Sequence, residues 1–134
     1  LIPGYNDSGI ELEKLSCWIV EQLGPEVPLH FSAFHPDWKM THVERTPHQT
    51  LIRAREIALA NGIHHVYLGN VHDHQGSSTY CHACGQILIG RDWYALSDWN
   101  LDPEGRCSNC LEPCPGHFEP TPSSWGSRRQ PVKV

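Results

Sequence analysis

The sequence predicts an α/β fold of parallel β/α units followed by a zinc-ribbon-like, cysteine-rich appendage. Two observations carry this: a helix-then-strand pattern that occurs twice in tandem, and two Cys-x-x-Cys pairs that begin where that pattern stops. Ser8-Gly9-Ile10-Glu11 has the spacing of a capping box. Behind it Leu12, Leu15, Ile19, Val20 and Leu23 recur at helical intervals until Gly24-Pro25, which predicts a helix over roughly 9–23. Cys17 falls among them and is expected to pack in the helix interface. Residues 27–34 mix β-branched and aromatic side chains and stop at His35-Pro36, the pattern of a short strand. Thr46-Pro47-His48-Gln49 is a second capping box with proline at the first helical position; Leu51, Ile52, Ala54, Ala58 and Leu59 form an apolar surface that ends at Asn61-Gly62. Residues 63–71, with Val66-Tyr67-Leu68, are the next strand. Leu1-Ile2-Pro3-Gly4 has the character of the end of a buried strand entering a turn, so three strands and two helices are expected. Such a set cannot close a barrel. It would form a slice of one or a small open sheet, and its uncovered edges would call for further chain.

The chain has 134 residues, 39% of them hydrophobic, which is enough for one domain with an appendage and excludes wholesale disorder. A net charge of −5 gives no basic face for generic phosphate-backbone binding, and Arg91 and Arg106 are the only cations between residues 80 and 111. Nucleic acid is therefore not an expected partner. Trp93, Tyr94 and Trp99 could stack on bases, but core packing is the expectation for them. No signal peptide or apolar run of spanning length is present, so no membrane association is expected, and a cytoplasmic location is.

Cys81-x-x-Cys84 and Cys107-x-x-Cys110 are separated by 22 residues, a spacing used by four-thiolate metal sites. A closed set of four thiolates leaves no position for water, so the metal would be structural. Zinc and iron both satisfy such a set, and the alternatives are disulfides, a different ligand set or empty thiols. Cys114 follows as either a spare thiol or a third member of a cluster-like array, and His82 inside the first pair is expected to face solvent. The expected organisation is residues 1–72 as β/α units, 73–112 as the ribbon and 113–134 as a mobile tail rich in Pro, Gly and Ser. The alternative for that tail is a segment anchored by Phe118 or Trp125.

Loops at the carboxyl ends of parallel strands commonly carry sites. Here they hold Asn6 and Asp7, then His35 and Asp37, then His72-Asp73-His74, which is either a site element or a solvated turn. His30 lies within a strand, facing either a barrel interior or the core.

Several segments together resemble the radical S-adenosylmethionine (SAM) enzymes of the AmmeMemoRadiSam system, which are related to the activating enzymes of glycyl radical proteins. These are Leu1-Ile2-Pro3-Gly4-Tyr5-Asn6-Asp7, Val27-Pro28-Leu29-His30-Phe31 with Phe34-His35-Pro36-Asp37, Lys39-Met40-Thr41, Arg53-Ala54-Arg55-Glu56-Ile57-Ala58, Tyr67-Leu68-Gly69-Asn70-Val71, Thr79-Tyr80-Cys81 and Cys84-Gly85. The resemblance covers about residues 1–111. It implies the final portion of an incomplete TIM-type barrel whose missing N-terminal segment is the first partner, with a protein substrate or companion protein as a further one. It also implies a [4Fe–4S] cluster held by an upstream Cys-x3-Cys-x2-Cys loop and S-adenosylmethionine cleaved reductively to a radical that abstracts hydrogen. Neither would be anchored by cysteines of this chain, since Cys107, Cys110 and Cys114 show the spacing reversed and follow the strands. Asn6, His30, His35 and Asn70 are the implied cofactor-facing or substrate-facing positions. A departure from the family pattern is Leu111, where such ribbons often have glycine. On this basis the chain alone is expected to be inactive, its zinc site structural, and the complete protein a radical SAM enzyme. The competing expectation is a small zinc-binding protein-interaction module without catalytic activity.

Overall fold

In the computed structural model, which describes residues 1–129 and 131, the chain divides into one unit of residues 1–76 and a second beginning at Ser77. Part of the predicted tail, residue 130 and residues 132–134, lies outside the described residues.

The first unit is built on helix α1 (Gly9–Leu23), strand β1 (Leu29–Ser32), helix α2 (His48–Ala60) and strand β2 (Val66–Gly69). The strands pair in parallel, Leu29 opposite Val66 through Ser32 opposite Gly69. Both are shorter than the sequence pattern suggested, and the third strand expected at Leu1–Gly4 is absent from this sheet. A hydrogen bond from Leu1 N to Ser32 O (2.7 Å) sets residue 1 beside β1, and a turn with Tyr5 N bonded to Ile2 O follows at once.

Helix α1 has the predicted start and stop. Ser8 Oγ accepts from Glu11 N and donates to the Glu11 carboxylate, and Gly24, at φ 93°, turns its N–H back to Ile19 O and Val20 O. Its buried line is Leu12, Ser16 and Ile19, with the Ser16 hydroxyl spent on Leu12 O. Leu15 and Leu23, expected on that face, are exposed. Cys17 also departs from expectation: it is exposed, and its Sγ donates to Asn61 Oδ1 at 3.2 Å, because its place on the helix points it at the end of α2.

Helix α2 begins differently from its predicted capping box. Pro47 occupies the cap with no side-chain hydrogen bond, since the buried Thr46 hydroxyl is already committed, donating to Leu1 O (2.6 Å) and accepting from Phe34 N (2.8 Å). Leu51, Ala54 and Ala58 of α2 meet Leu12 and Ile19 of α1 and Phe31, Ala33, Ile63, Val66 and Leu68 around the strands in one apolar cluster. Burial of each large member is worth roughly 1.5–3 kcal/mol. Both helices cover the same face of the two-stranded sheet. The other face presents His30, Ser32, Tyr67 and Gly69, with the His30 and Tyr67 rings 4.9 Å apart. A side chain at 69 would meet Ser32 Oγ at 2.8 Å, so the strands approach closely there because residue 69 is glycine.

A single helical turn, α3 (His74–Ser77), leads out of the first unit. The second unit is an antiparallel sheet in the order β3 (Thr79–Tyr80), β4 (Ile87–Asp92), β5 (Ala95–Trp99). The β4–β5 register shifts between Ile89 and Arg91, and Gly90 sits in that irregularity, where a side chain would displace those of Ser97 and Asp98. Its core is small: Leu88, Ile89 and Leu101 with Cys81 and Cys107, edged by Leu96, Trp99, Cys114 and Phe118. The Phe118 ring meets Trp99 edge-on at 6.4 Å, whereas Trp125 is exposed. Core packing, expected for three aromatics, holds only for Trp99. Trp93 and Tyr94 form the two-residue turn between β4 and β5 and are 59% and 68% exposed.

Candidate metal centre

The four predicted cysteines converge. Cys81 follows β3 directly and Cys84 closes its turn, with Cys81 N bonded to Gln86 O and Gly85 N to Cys81 O. The second turn repeats these bonds: Cys107 N to Glu112 O and Leu111 N to Cys107 O. Gly85 at φ 76° and Leu111 at φ 65° hold the same left-handed position after each pair, which explains the glycine in the first turn and makes leucine a strained occupant of the second. The Sγ atoms of Cys81 and Cys110 stand 3.6 Å apart, those of Cys84 and Cys107 3.7 Å, and all four lie within 4.8 Å of one another. Disulfide sulfurs would be about 2.05 Å apart. Four sulfurs at about 2.3 Å from one zinc stand about 3.8 Å apart along the tetrahedral edges, which the observed pairs nearly match.

Cys81 and Cys107 are buried, Cys84 and Cys110 exposed, so the centre sits at the rim of the small core. The thiols divide in acidity. Hydrogen bonds from the Asn109 side chain and from Gln86 N–H lower Cys84 to about 6. Cys110 is pushed up to about 12: the Glu112 N–H favours its thiolate, but partial desolvation by its neighbours and the adjacent Cys84, Cys81 and Cys107 outweigh it. A first negative charge is thus welcome and further ones are opposed, a demand that a divalent cation meets. The donor set could hold a metal such as zinc.

Cys114 is outside this set; it is half-buried in the ribbon core, with its N–H on Gly105 O. His82 is exposed and its Nε2 lies 3.5 Å from a Glu112 carboxylate oxygen. Two supports were missed in the sequence. One is Asn109 beside Cys84. The other is Asp102, which accepts from Arg106 N, Glu104 N and Arg106 Nε and so shapes the approach to Cys107. The Arg106 N–H is the main reason its carboxyl lies below the usual range, against desolvation. Asp102-Pro103-Glu104-Gly105 is a turn signature that could have revealed it.

In the first unit, the loops leaving β1 and β2 lie side by side. Asn70, at φ 58°, donates from Nδ2 to Ala33 O (3.3 Å). His35 Nδ1 lies 2.9 Å from Pro36 O, and Asn6 Oδ1 accepts from Ile2 N at 2.7 Å, so each of these three candidates has one polar atom engaged with backbone. His30 stands on the uncovered sheet face. His72 lines a pocket with Arg45, Thr46, Pro47, His48 and Val71, and Asp73 pairs with His48 at 2.7 Å, a contact across 25 residues that no local pattern announces. Asp73 is pulled upward by its burial. The Gly76 N–H, the His48 hydrogen bond and the charges of His48 and Arg55 outweigh that and leave it below its ordinary value.

Fold and site together define a mixed α/β protein with a four-cysteine centre. A protein of Methanocaldococcus jannaschii that carries the name "Uncharacterized protein MJ0808" is 45% identical to it over 113 residues, 84% of this chain and 34% of that protein. The chain thus spans about a third of the length of the curated relative it matches. No family model and no solved structure matches. Among the described residues, no helix is long and apolar enough to cross a membrane.

Proposed function

We propose that this chain is the carboxyl-terminal portion of a radical SAM enzyme, supplying wall and loops to a partial TIM-type barrel and carrying a structural zinc ribbon after it in sequence. The observation that carries the reading is the sheet face left bare by both helices. A face awaiting a second apolar layer would be aliphatic, yet this one offers an imidazole, a phenol, a hydroxyl and a glycine, while every helix-facing position is apolar. Such a face suits a barrel interior that binds a polar ligand. A relative about two and a half times as long is compatible with further β/α units.

In the complete enzyme, the cluster and S-adenosylmethionine would supply the electron and the radical. The residues here orient and enclose. His30 and Tyr67 would line the interior, and the loops of Asn6, His35 and Asn70 would meet cofactor or substrate at the carboxyl rim. The ribbon would hold zinc through Cys81, Cys84, Cys107 and Cys110 and leave no open position for catalysis.

The test is the whole polypeptide to which the chain belongs. A Cys-x3-Cys-x2-Cys loop upstream, and formation of 5′-deoxyadenosine from S-adenosylmethionine under anaerobic reduction after iron and sulfide reconstitution, are the expected results. A complete polypeptide without that loop overturns the reading. A zinc-dependent interaction module is the second reading, favoured by the exposed Trp93-Tyr94 tip. It predicts zinc without S-adenosylmethionine cleavage and a partner whose binding is lost in Trp93→Ala.

A further inference from the structure

Where α2 begins and the chain leaves β2, the first unit has a pocket of about 440 Å³ lined by Arg45, Thr46, Pro47, His48, Val71 and His72. Its lining contains a guanidinium, two imidazoles and no carboxylate, in a chain whose net charge is −5. Thr46 is wall only, because its hydroxyl is committed to Leu1 O and Phe34 N.

Two of the other polar members, His48 and Arg45, are held in place from behind. The Asp73 side chain, 14% exposed, bonds Gly76 N through Oδ1 and His48 Nε2 through Oδ2 at 2.7 Å, so it fixes the imidazole by its far nitrogen. Arg45 gives one Nη2 hydrogen bond to Asn70 O (3.2 Å), which anchors the guanidinium beside the end of β2. A guanidinium has five N–H donors in a planar fork suited to two oxygens of one anion. The histidines here form no metal set: the groups of metal-ligating side chains close enough to share an ion, among the described residues, include neither His48 nor His72.

We propose that this pocket binds an oxyanion, the phosphate or carboxylate of a small-molecule ligand, with Arg45 as the charged fork, His72 and the imidazolium form of His48 as flanking groups and Asp73 as the residue that positions His48. The inference rests on the pocket alone and stands or falls independently of the radical SAM reading.

Titration of the zinc-loaded chain with inorganic phosphate, and separately with acetate, tests it at an ionic strength held constant with chloride. Histidine ring resonances are followed by NMR. Saturable shifts of His48 and His72, with His117 unmoved, are expected, and the anion that binds more tightly identifies the ligand class. Arg45→Gln should weaken binding about tenfold, equivalent to about 1.4 kcal/mol. Arg45→Lys should fall between the two because it keeps charge and loses the fork. Asp73→Asn should weaken binding less, and Lys14→Gln on α1 should leave it unchanged. Absence of saturable shifts with both anions in the unaltered chain overturns the proposal whatever the variants do, as does an affinity unchanged by Arg45→Gln.

Discussion

The two units solve the problem of a small core in different ways. In residues 1–76 an apolar cluster of ten buried side chains connects two helices to a sheet; from Ser77 onward the buried cluster has five members, and two of them are cysteines of the candidate metal centre. The first unit can draw its stability from apolar burial. The second has too little hydrocarbon for that, and a metal held by the four cysteines would stand in for the missing core.

The sharpest way to break the comparison is to remove the metal. Cys107→Ser, or chelation, should abolish stoichiometric zinc in elemental analysis and unfold the ribbon, since binding free energies for structural zinc are on the order of 10 kcal/mol. NMR signals of α1 and α2 should survive. Simultaneous loss of both sets would mean that the first unit also depends on the metal. Leu51→Ala is the converse experiment. Leu51 has no exposed surface, so its truncation should cost about 2–5 kcal/mol in denaturant unfolding of the first unit while zinc content is unchanged.

Smaller changes refine the picture. Leu111→Gly should stabilise the zinc-loaded ribbon by about 1 kcal/mol, measured as resistance to chelator, because the side chain is largely exposed and its backbone is left-handed. A weaker ribbon would mean that this leucine contributes packing. Asp73→Asn should have the least effect, below about 1 kcal/mol for a pair whose histidine is half exposed. The folded-state carboxyl of Asp73 titrates below its ordinary value, so its contribution is present above the ordinary carboxylate range and is lost as pH falls through the lowered value. The variant should therefore flatten the acid limb of the first unit's stability profile, and an unaltered limb would remove the pair from the account.

Legibility in the sequence followed the range of the interactions. Helix α1, its Ser8 cap and Gly24 stop, and the convergence of four cysteines depend on neighbours a few residues apart or on a ligand preference that spacing alone expresses. Thr46 misled because a capping hydroxyl and a hydroxyl bridging Leu1 and Phe34 look identical in a string of letters. Cys17 failed for a related reason: periodicity shows which residues share a side of a helix, but the second helix decides where the interface ends. The Trp93-Tyr94 turn was hidden by composition, since two large aromatics occupy a hairpin position where glycine or asparagine is customary, with Trp93 at φ 53°. The pairing of His48 with Asp73 required the fold itself.

Gly69 sets a dimension of the molecule. With Ser32 Oγ only 2.8 Å from where a methyl group would begin, the space over this residue is already taken by the serine side chain. Any side chain there would push the serine hydroxyl aside, so the place that Ser32 occupies on the uncovered face is governed by one missing carbon atom.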